Sequence, residues 1–186
     1  MSGCTWHKKN EIMKKYHDNE WCVPSYDDKY IFEMLSLEGA QAGLSWNTVL
    51  CKREEYKKAF HNFDIVYCSR LSDEEIEEIR ENYKVIKNIL KLRSVRNNAI
   101  EILKIQEEFG SFSNYLWKYV EFKPIINNWE NESDMPTETE LSQKISKDLK
   151  RRKFKFVGPV IIYSFLQAIG MVDDHIVSCK YHSLNK

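Results

Sequence analysis

Leu141 to Gly170, LSQKISKDLKRRKFKFVGPVIIYSFLQAIG, decides the fold. Leu141, Ile145 and Leu149 recur at the fourfold spacing of one helix face, and Pro159 to Gly170 reads as a second helix with proline first and glycine past its end. Between them Lys153-Phe154-Lys155-Phe156-Val157-Gly158 is a short basic hairpin ending in glycine. Such an arrangement suits a DNA backbone. Glycine allows a tight turn, the following helix offers unpaired N–H groups to a phosphate, and neighbouring cations add attraction without reading sequence. A helix pair that only packs fits the same spacing. Lys147, Lys150, Arg151, Arg152, Lys153 and Lys155 fall within nine residues with only Asp148 among the acids, a run that a solvated helix face would also carry.

Outward from this segment the chain reads as helices. Asp27 to Leu44 and Ser45 to Phe60 carry helix-period apolar residues. Ser72 three residues before Glu75 is a capping box opening a helix to about Asn82. Val85 to Phe109 is predicted as one long helix, apolar at Ile86, Ile89, Leu90, Ala99, Ile102 and Leu103, and Ser113 to Val120 as a shorter aromatic one. Asn127 to Glu140, polar and carrying Pro136, reads as a connecting loop. Strand alternation is absent or short, so the fold class is all-α. The 186 residues fit one domain, 1–186, of two closely packed helical subdomains.

Composition limits the function classes. An apolar share of 42% is too high for a disordered chain, and no run approaches the roughly 18 apolar residues of a membrane span. Met1 to Trp6 lacks the apolar centre of a signal peptide, and five cysteines cannot all pair, which together favour a reducing cytoplasm. Lys plus Arg equal Asp plus Glu at 28 each, so any pull toward nucleic acid must be local.

Two groups of residues carry chemistry. Cys4 and His17 near one end, with His175 and Cys179 near the other, make up a two-cysteine, two-histidine set of the kind that holds zinc. The i,i+4 spacing puts His175 and Cys179 on one face if that segment is helical. With four protein ligands the metal has no open position and is structural; Cys22, His7 and His182 are alternative ligands on spacing alone. The second group centres on Glu38, which shares a stripe with Ile31, Leu35 and Ala42 and so should face the core. A buried salt bridge to a lysine would explain it, and so would recognition of a ligand by a site rich in Trp6, Tyr16, Trp21 and Trp46, flat rings of the kind that stack on an extruded base.

These stretches carry a resemblance. Tyr16-His17-Asp18-Asn19-Glu20-Trp21, Leu37-Glu38-Gly39-Ala40-Gln41-Ala42-Gly43-Leu44-Ser45-Trp46 and Phe154-Lys155-Phe156-Val157-Gly158 resemble the DNA-3-methyladenine glycosylase I family, the Tag branch of the helix-hairpin-helix glycosylases, over Cys4 to Cys179. The resemblance implies an all-α fold with one structural zinc on Cys4, His17, His175 and Cys179, joining the N- and C-terminal segments. It implies a pocket in which Glu38 and Tyr16 hydrogen-bond the base, Trp46 stacks on it, and Trp6 and Trp21 line the walls. Lys153, Lys155, Val157 and Gly158 would grip double-stranded DNA beside the lesion. The activity implied is that of a monofunctional, monomeric DNA glycosylase that hydrolyses the glycosidic bond of 3-methyladenine and frees the base. Val160 stands where strand-cleaving relatives have lysine, so no lyase step is expected.

Two departures from the family pattern stand out: Cys22 where glycine is usual, and Asp173 where this branch commonly has asparagine and related glycosylases keep a catalytic aspartate. Asp173 is therefore a candidate catalytic residue beside Glu38, with capping of a helix carrying His175 as the alternative. The rival readings of the whole chain are a zinc-stabilised helical DNA-binding module without catalysis, and an unrelated zinc-stabilised helical protein that binds a small aromatic ligand.

Overall fold

The computed structural model describes residues 3–185. It is helical almost throughout: α1 (Glu11–Asn19), α2 (Asp28–Gln41), α3 (Trp46–Leu50), α4 (Arg53–Ala59), α5 (Ile65–Arg70), α6 (Asp73–Asn82), α7 (Ile89–Phe109), α8 (Phe112–Trp117), α9 (Glu140–Arg151) and α10 (Pro159–Ala168). Two residues of strand, β1 (Ile125–Ile126), pair in parallel with β2 (Val172–Asp173) and fasten the loop after α8 to the chain leaving α10.

Local chemistry sets most boundaries. Ser72 and Glu75 close the expected capping box on α6, with Ser72 N donating to Glu75 Oε2 at 2.7 Å and Glu75 N to Ser72 Oγ at 3.1 Å. Asn88, not Val85, opens α7, its side chain accepting from the amides of Leu90 and Lys91. The segment read as one helix from Ser45 to Phe60 is two, because the chain turns at Cys51 and Lys52 between α3 and α4. Gly170 ends the α10 unit at φ +69°, and a Cβ there would lie 2.2 Å from the carbonyl carbon of Val23, so both the conformation and the space demand glycine.

α2 is the central element. It packs against α3, α7, α8 and α10, and its ten consecutive residues Ile31 to Ala40 are all buried. Glu38 is thus inside, but not by membership of an apolar stripe: Glu33 and Ser36 on other faces are buried too. Trp117, Tyr56, Tyr115 and a group of phenylalanines fill the surrounding core. α9 packs on α10, and α10 on α2, which brings the basic hairpin of residues 153–158 alongside the helix that carries Glu38. No helix among the described residues is long and apolar enough to cross a membrane.

Candidate functional site

Glu38 sits in the last turn of α2, with 4% of its surface exposed, and its Oε2 has no hydrogen-bond partner. Burial alone pushes its carboxyl up to about 8 from the usual 4.5, since no cation or donor nearby compensates the lost water. It borders a cavity of about 160 Å³ walled by Gln41, Ala42, Gly43, Leu44, Ile161 and Ser164. The salt bridge that would make Glu38 a structural acid is therefore not formed among the described residues. On the other side of the Ala42–Ser45 turn, Ser45 caps α3 and fixes Trp46 as its first residue. The indole Nε1 of Trp46 is likewise buried without a partner.

The aromatic residues gather as the sequence implied. Tyr16 is buried, 5.2 Å from Trp46 between ring centroids; Trp6 stands edge-on to Tyr16 at 6.4 Å and to Trp21 at 5.0 Å. Burial raises the Tyr16 phenol well above its ordinary value, with the nearby Glu38 carboxylate adding to the effect, so the hydroxyl keeps its proton. The rings pack on one another beside the cavity rather than among its lining residues.

The metal candidates meet only in part. Cys4, His17 and Cys179 bring their ligand atoms within 4.8 Å of one another, and Cys179 Sγ lies 3.8 Å from His17 Nε2, near the roughly 3.6 Å edge of a tetrahedral zinc site. His175 stands outside that trio, its ring 4.9 Å from that of His17. Its Nε2 is buried and has no partner, while its Nδ1 is 2.8 Å from Asp173 Oδ1; His17 Nδ1 makes the same contact with Asp18. The segment holding His175 and Cys179 is not a helix but a series of turns, so their approach comes from tertiary packing and not from i,i+4 spacing. Cys22 is separate from the trio. Its Sγ accepts the Asp174 amide at 3.3 Å and lies near Asp173 and His175, and its φ of +62° is the left-handed conformation in which glycine is at ease. His182 is bonded elsewhere, to Asn127 O and Leu184 N, and His7 stacks on His17 at 3.9 Å.

Asp173 does not face the cavity. It is 1% exposed, and both oxygens are committed: Oδ1 to the amide and ring of His175, Oδ2 to the amide and hydroxyl of Ser183. It caps no α-helix, and in the free protein its carboxylate holds the amide and ring of His175. Four accepted contacts hold its carboxyl well below the usual carboxylate range in spite of burial.

The hairpin also differs in detail from its reading. Gly158 has an ordinary φ of −63°, and the left-handed residues are Lys153 and Phe156. No atom lies within 4 Å of a Cβ built on Gly158, so nothing in the chain itself requires glycine there. Val157 is buried, and only its backbone can meet a ligand. Arg151 and Arg152 are paired with Asp148 and Glu108, which leaves Lys153 and Lys155 as the exposed cations of the turn.

Three further residues shape the site without any local sequence signal. Glu132 reaches from the loop after β1 to accept the amides of Thr5 and Trp6 and the Thr5 hydroxyl, fixing the turn that carries Trp6. Lys91 on α7 donates to Ala40 O and Ala42 O, closing the end of α2 beside Glu38. Asn98 clamps the hairpin through Lys155 N and O.

Comparison with known proteins gives a uniform answer. The family described as methyladenine glycosylase matches residues 6–182. The DNA-3-methyladenine glycosylase 1 of Escherichia coli (strain K12) is 41% identical over the full length of both chains. A crystal structure of 3-methyladenine DNA glycosylase I (TAG) superposes with a TM-score of 0.93 at 41% identity, covering 97% of this chain and 99% of that one. A tyrosine-to-phenylalanine variant of 3-methyladenine DNA glycosylase I (TAG), solved in complex with 3-methyladenine, superposes with a TM-score of 0.90 at 38% identity, covering 94% of each chain.

Proposed function

The chain belongs to the methyladenine glycosylase family, and from that membership we infer that it is a DNA-3-methyladenine glycosylase, releasing 3-methyladenine from alkylated DNA. The observation that carries this reading to particular residues is Glu38: a buried carboxylate with an unpartnered oxygen, beside a cavity and an aromatic cluster. Methylation at N3 puts positive charge on the adenine and weakens its glycosidic bond. Recognition therefore does most of the catalysis. A cationic base offers Glu38 the charge and donors that the fold withholds, and ionising Glu38 against it favours the lesion over ordinary adenine. Tyr16, which keeps its proton, offers a hydrogen bond. Trp46, with Trp6 and Trp21 behind it, supplies flat surface and cation–π attraction worth about 0.5–2 kcal/mol. Water takes the sugar carbon, and the released base leaves an abasic site.

DNA is held at the hairpin. Gly158 puts no side chain of its own at the N-terminus of α10 and no side chain caps it, a fit for a phosphate on the helix's first amides, with Lys153 and Lys155 adding charge. The chain acts as a monomer.

Cys4, His17, Cys179 and His175 suit one structural zinc. The spacing of the trio, the unpartnered Nε2 of His175 and the carboxylates on both Nδ1 atoms favour this assignment, the last being the usual second layer around zinc-bound histidine. His175 would complete the set by a small shift of its ring. Bound there, the metal would tie the N-terminal turn to the C-terminal turns and take no part in the chemistry.

The experiment is direct. Purified protein is incubated with methylated duplex DNA, and the released bases and the strand are analysed separately. Free 3-methyladenine, with the strand intact until the abasic site is cleaved chemically, supports the reading; no base release would refute it.

A further inference from the structure

Residues 82–100 hold Lys84, Lys87, Lys91, Arg93 and Arg96 and no acid, in a chain whose charges balance overall. Most of these cations are occupied. Lys87 caps the carbonyls of Arg80 and Tyr83, Lys91 closes α2, and Arg96 is fixed by Leu71 O at 2.9 Å and Asp73 at 2.7 Å. Arg93 is held least. Its one ion pair, Nε to the Asp73 carboxylate at 3.6 Å, is too long for a hydrogen bond, and Asp73 is already engaged by Arg96 at 2.7 Å. With 41% of its side chain exposed, Arg93 can present its guanidinium to a ligand.

Arg93 lines a cleft of about 410 Å³ with Leu90, Arg96, Asn97 and Lys155, and no acid is among the lining residues. The cleft is continuous with the hairpin: Lys155 belongs to both, and Asn97 Nδ2 holds Lys153 O at 2.9 Å. We propose that this cleft is a second seat for the DNA backbone, taking a phosphodiester next along the strand from the one at the hairpin, with the Arg93 guanidinium as its donor. This rests on the reading of the chain as a DNA glycosylase and adds to it a site on α7, outside the hairpin. Guanidinium suits the task because its planar fork matches two phosphate oxygens, and because neutralising a phosphate releases a condensed counterion. Two anchors fix the direction of the strand as well as its position, which one anchor cannot do.

The test is a fluorescence-anisotropy titration of a duplex carrying a stable abasic-site analogue, repeated over a range of NaCl concentrations. Arg93→Gln should weaken binding about tenfold at low salt and make the slope of log K against log salt shallower by about 1. Arg93→Lys should keep the slope. Leu90→Glu, at a side chain 61% exposed and therefore indifferent to folding, should weaken binding by adding an anion to the cleft. Lys58→Gln, on the exposed surface of α4, should change nothing, and free 3-methyladenine should quench tryptophan fluorescence equally in every variant. Arg93→Gln with wild-type affinity and slope, or Leu90→Glu without effect, would overturn the second seat and leave the glycosylase reading standing. A wild-type protein that neither binds the duplex nor excises the base would remove that reading, and the seat with it.

Discussion

Glu38 and Asp174 are both fully enclosed carboxylates, one in the last turn of α2 and the other just past β2, and their surroundings are opposites. Asp174 accepts from Asn127 Nδ2, Trp129 Nε1, Tyr163 Oη and Gln167 Nε2 at 2.5 to 2.7 Å, so every direction from its oxygens is filled by the protein. Glu38 has an oxygen that nothing meets. A satisfied buried acid holds a fold together; an unsatisfied one stores a recognition energy that only a ligand releases. The difference is sharp enough to break by substitution.

The largest effect belongs to Asp174. Asp174→Ala takes the acceptor from four donors, the buried Tyr163 and the half-buried Asn127, Trp129 and Gln167, at about 1–3 kcal/mol each at most, so the melting temperature should fall by roughly 10 °C or more, with activity lost only as the fold is lost. A variant that melts like wild type would show that the network does not stabilise the chain. Cys179→Ser comes next. One zinc per chain should disappear from metal analysis and the melting temperature should drop by roughly 5–10 °C, because the two termini are no longer tied. Purified wild-type protein without zinc would refute that ligand set.

Glu38→Gln should do the reverse of Asp174→Ala. Its fold should persist while binding of free 3-methyladenine, followed by tryptophan fluorescence, weakens by about 1.5–3 kcal/mol, the worth of a charge-assisted hydrogen bond. The sign of its pH dependence also follows. With the folded carboxyl pushed from 4.5 to about 8, the folded chain keeps a proton between those values that the unfolded chain has released, so wild-type stability declines as pH rises through that window. Glu38→Gln should lack this decline and be the more stable protein at pH 8; parallel denaturation midpoints across pH 5 to 8 would count against the buried, unpaired state. Asp173→Asn should have the smallest effect. As a positioning residue for His175, away from the cavity, it should cost less than about tenfold in single-turnover excision, about 1.4 kcal/mol. A thousandfold loss with the fold intact would make it catalytic.

Helices announced by local chemistry were legible in the sequence: the Ser72–Glu75 box, Pro159 at the start of α10, and the Leu141, Ile145, Leu149 face of α9, of which Leu149 and Ile145 are fully buried. The break at Cys51 and Lys52 was not, because neither residue is a helix breaker. Leu90, read as a core position of α7, is exposed because it lies off the face on which Lys91, Leu92 and Val95 are buried. For the site, Trp6, Tyr16, Trp21 and Trp46 came together near Glu38, but none of them lines the cavity, and His175 stands outside the trio of Cys4, His17 and Cys179. Glu132, Lys91, Asn98 and Asp174 had no signal at all: their defining partners, Tyr163 and Gln167 on Asp174 apart, lie 45 to 127 residues away, and an ordinary Glu, Lys, Asn or Asp in a loop or on a helix looks the same whether or not it has one. The partners of Asp173, His175 and Ser183, are close in sequence, but only the fold of the turns after β2 shows that both its oxygens are committed to them.

The contrast between the two carboxylates can be measured without any substitution. Carbon-13 NMR of side-chain carboxyls, titrated with and without saturating 3-methyladenine, follows each acid by its own resonance. We expect Glu38 to titrate near 8 in the free protein and to shift downward when the base donates to it, because a hydrogen bond to the charged form favours that form. A Glu38 that titrates near 4.5 in the free protein, or whose midpoint does not move when the base binds, would contradict the assignment of this residue as the acceptor of the lesion.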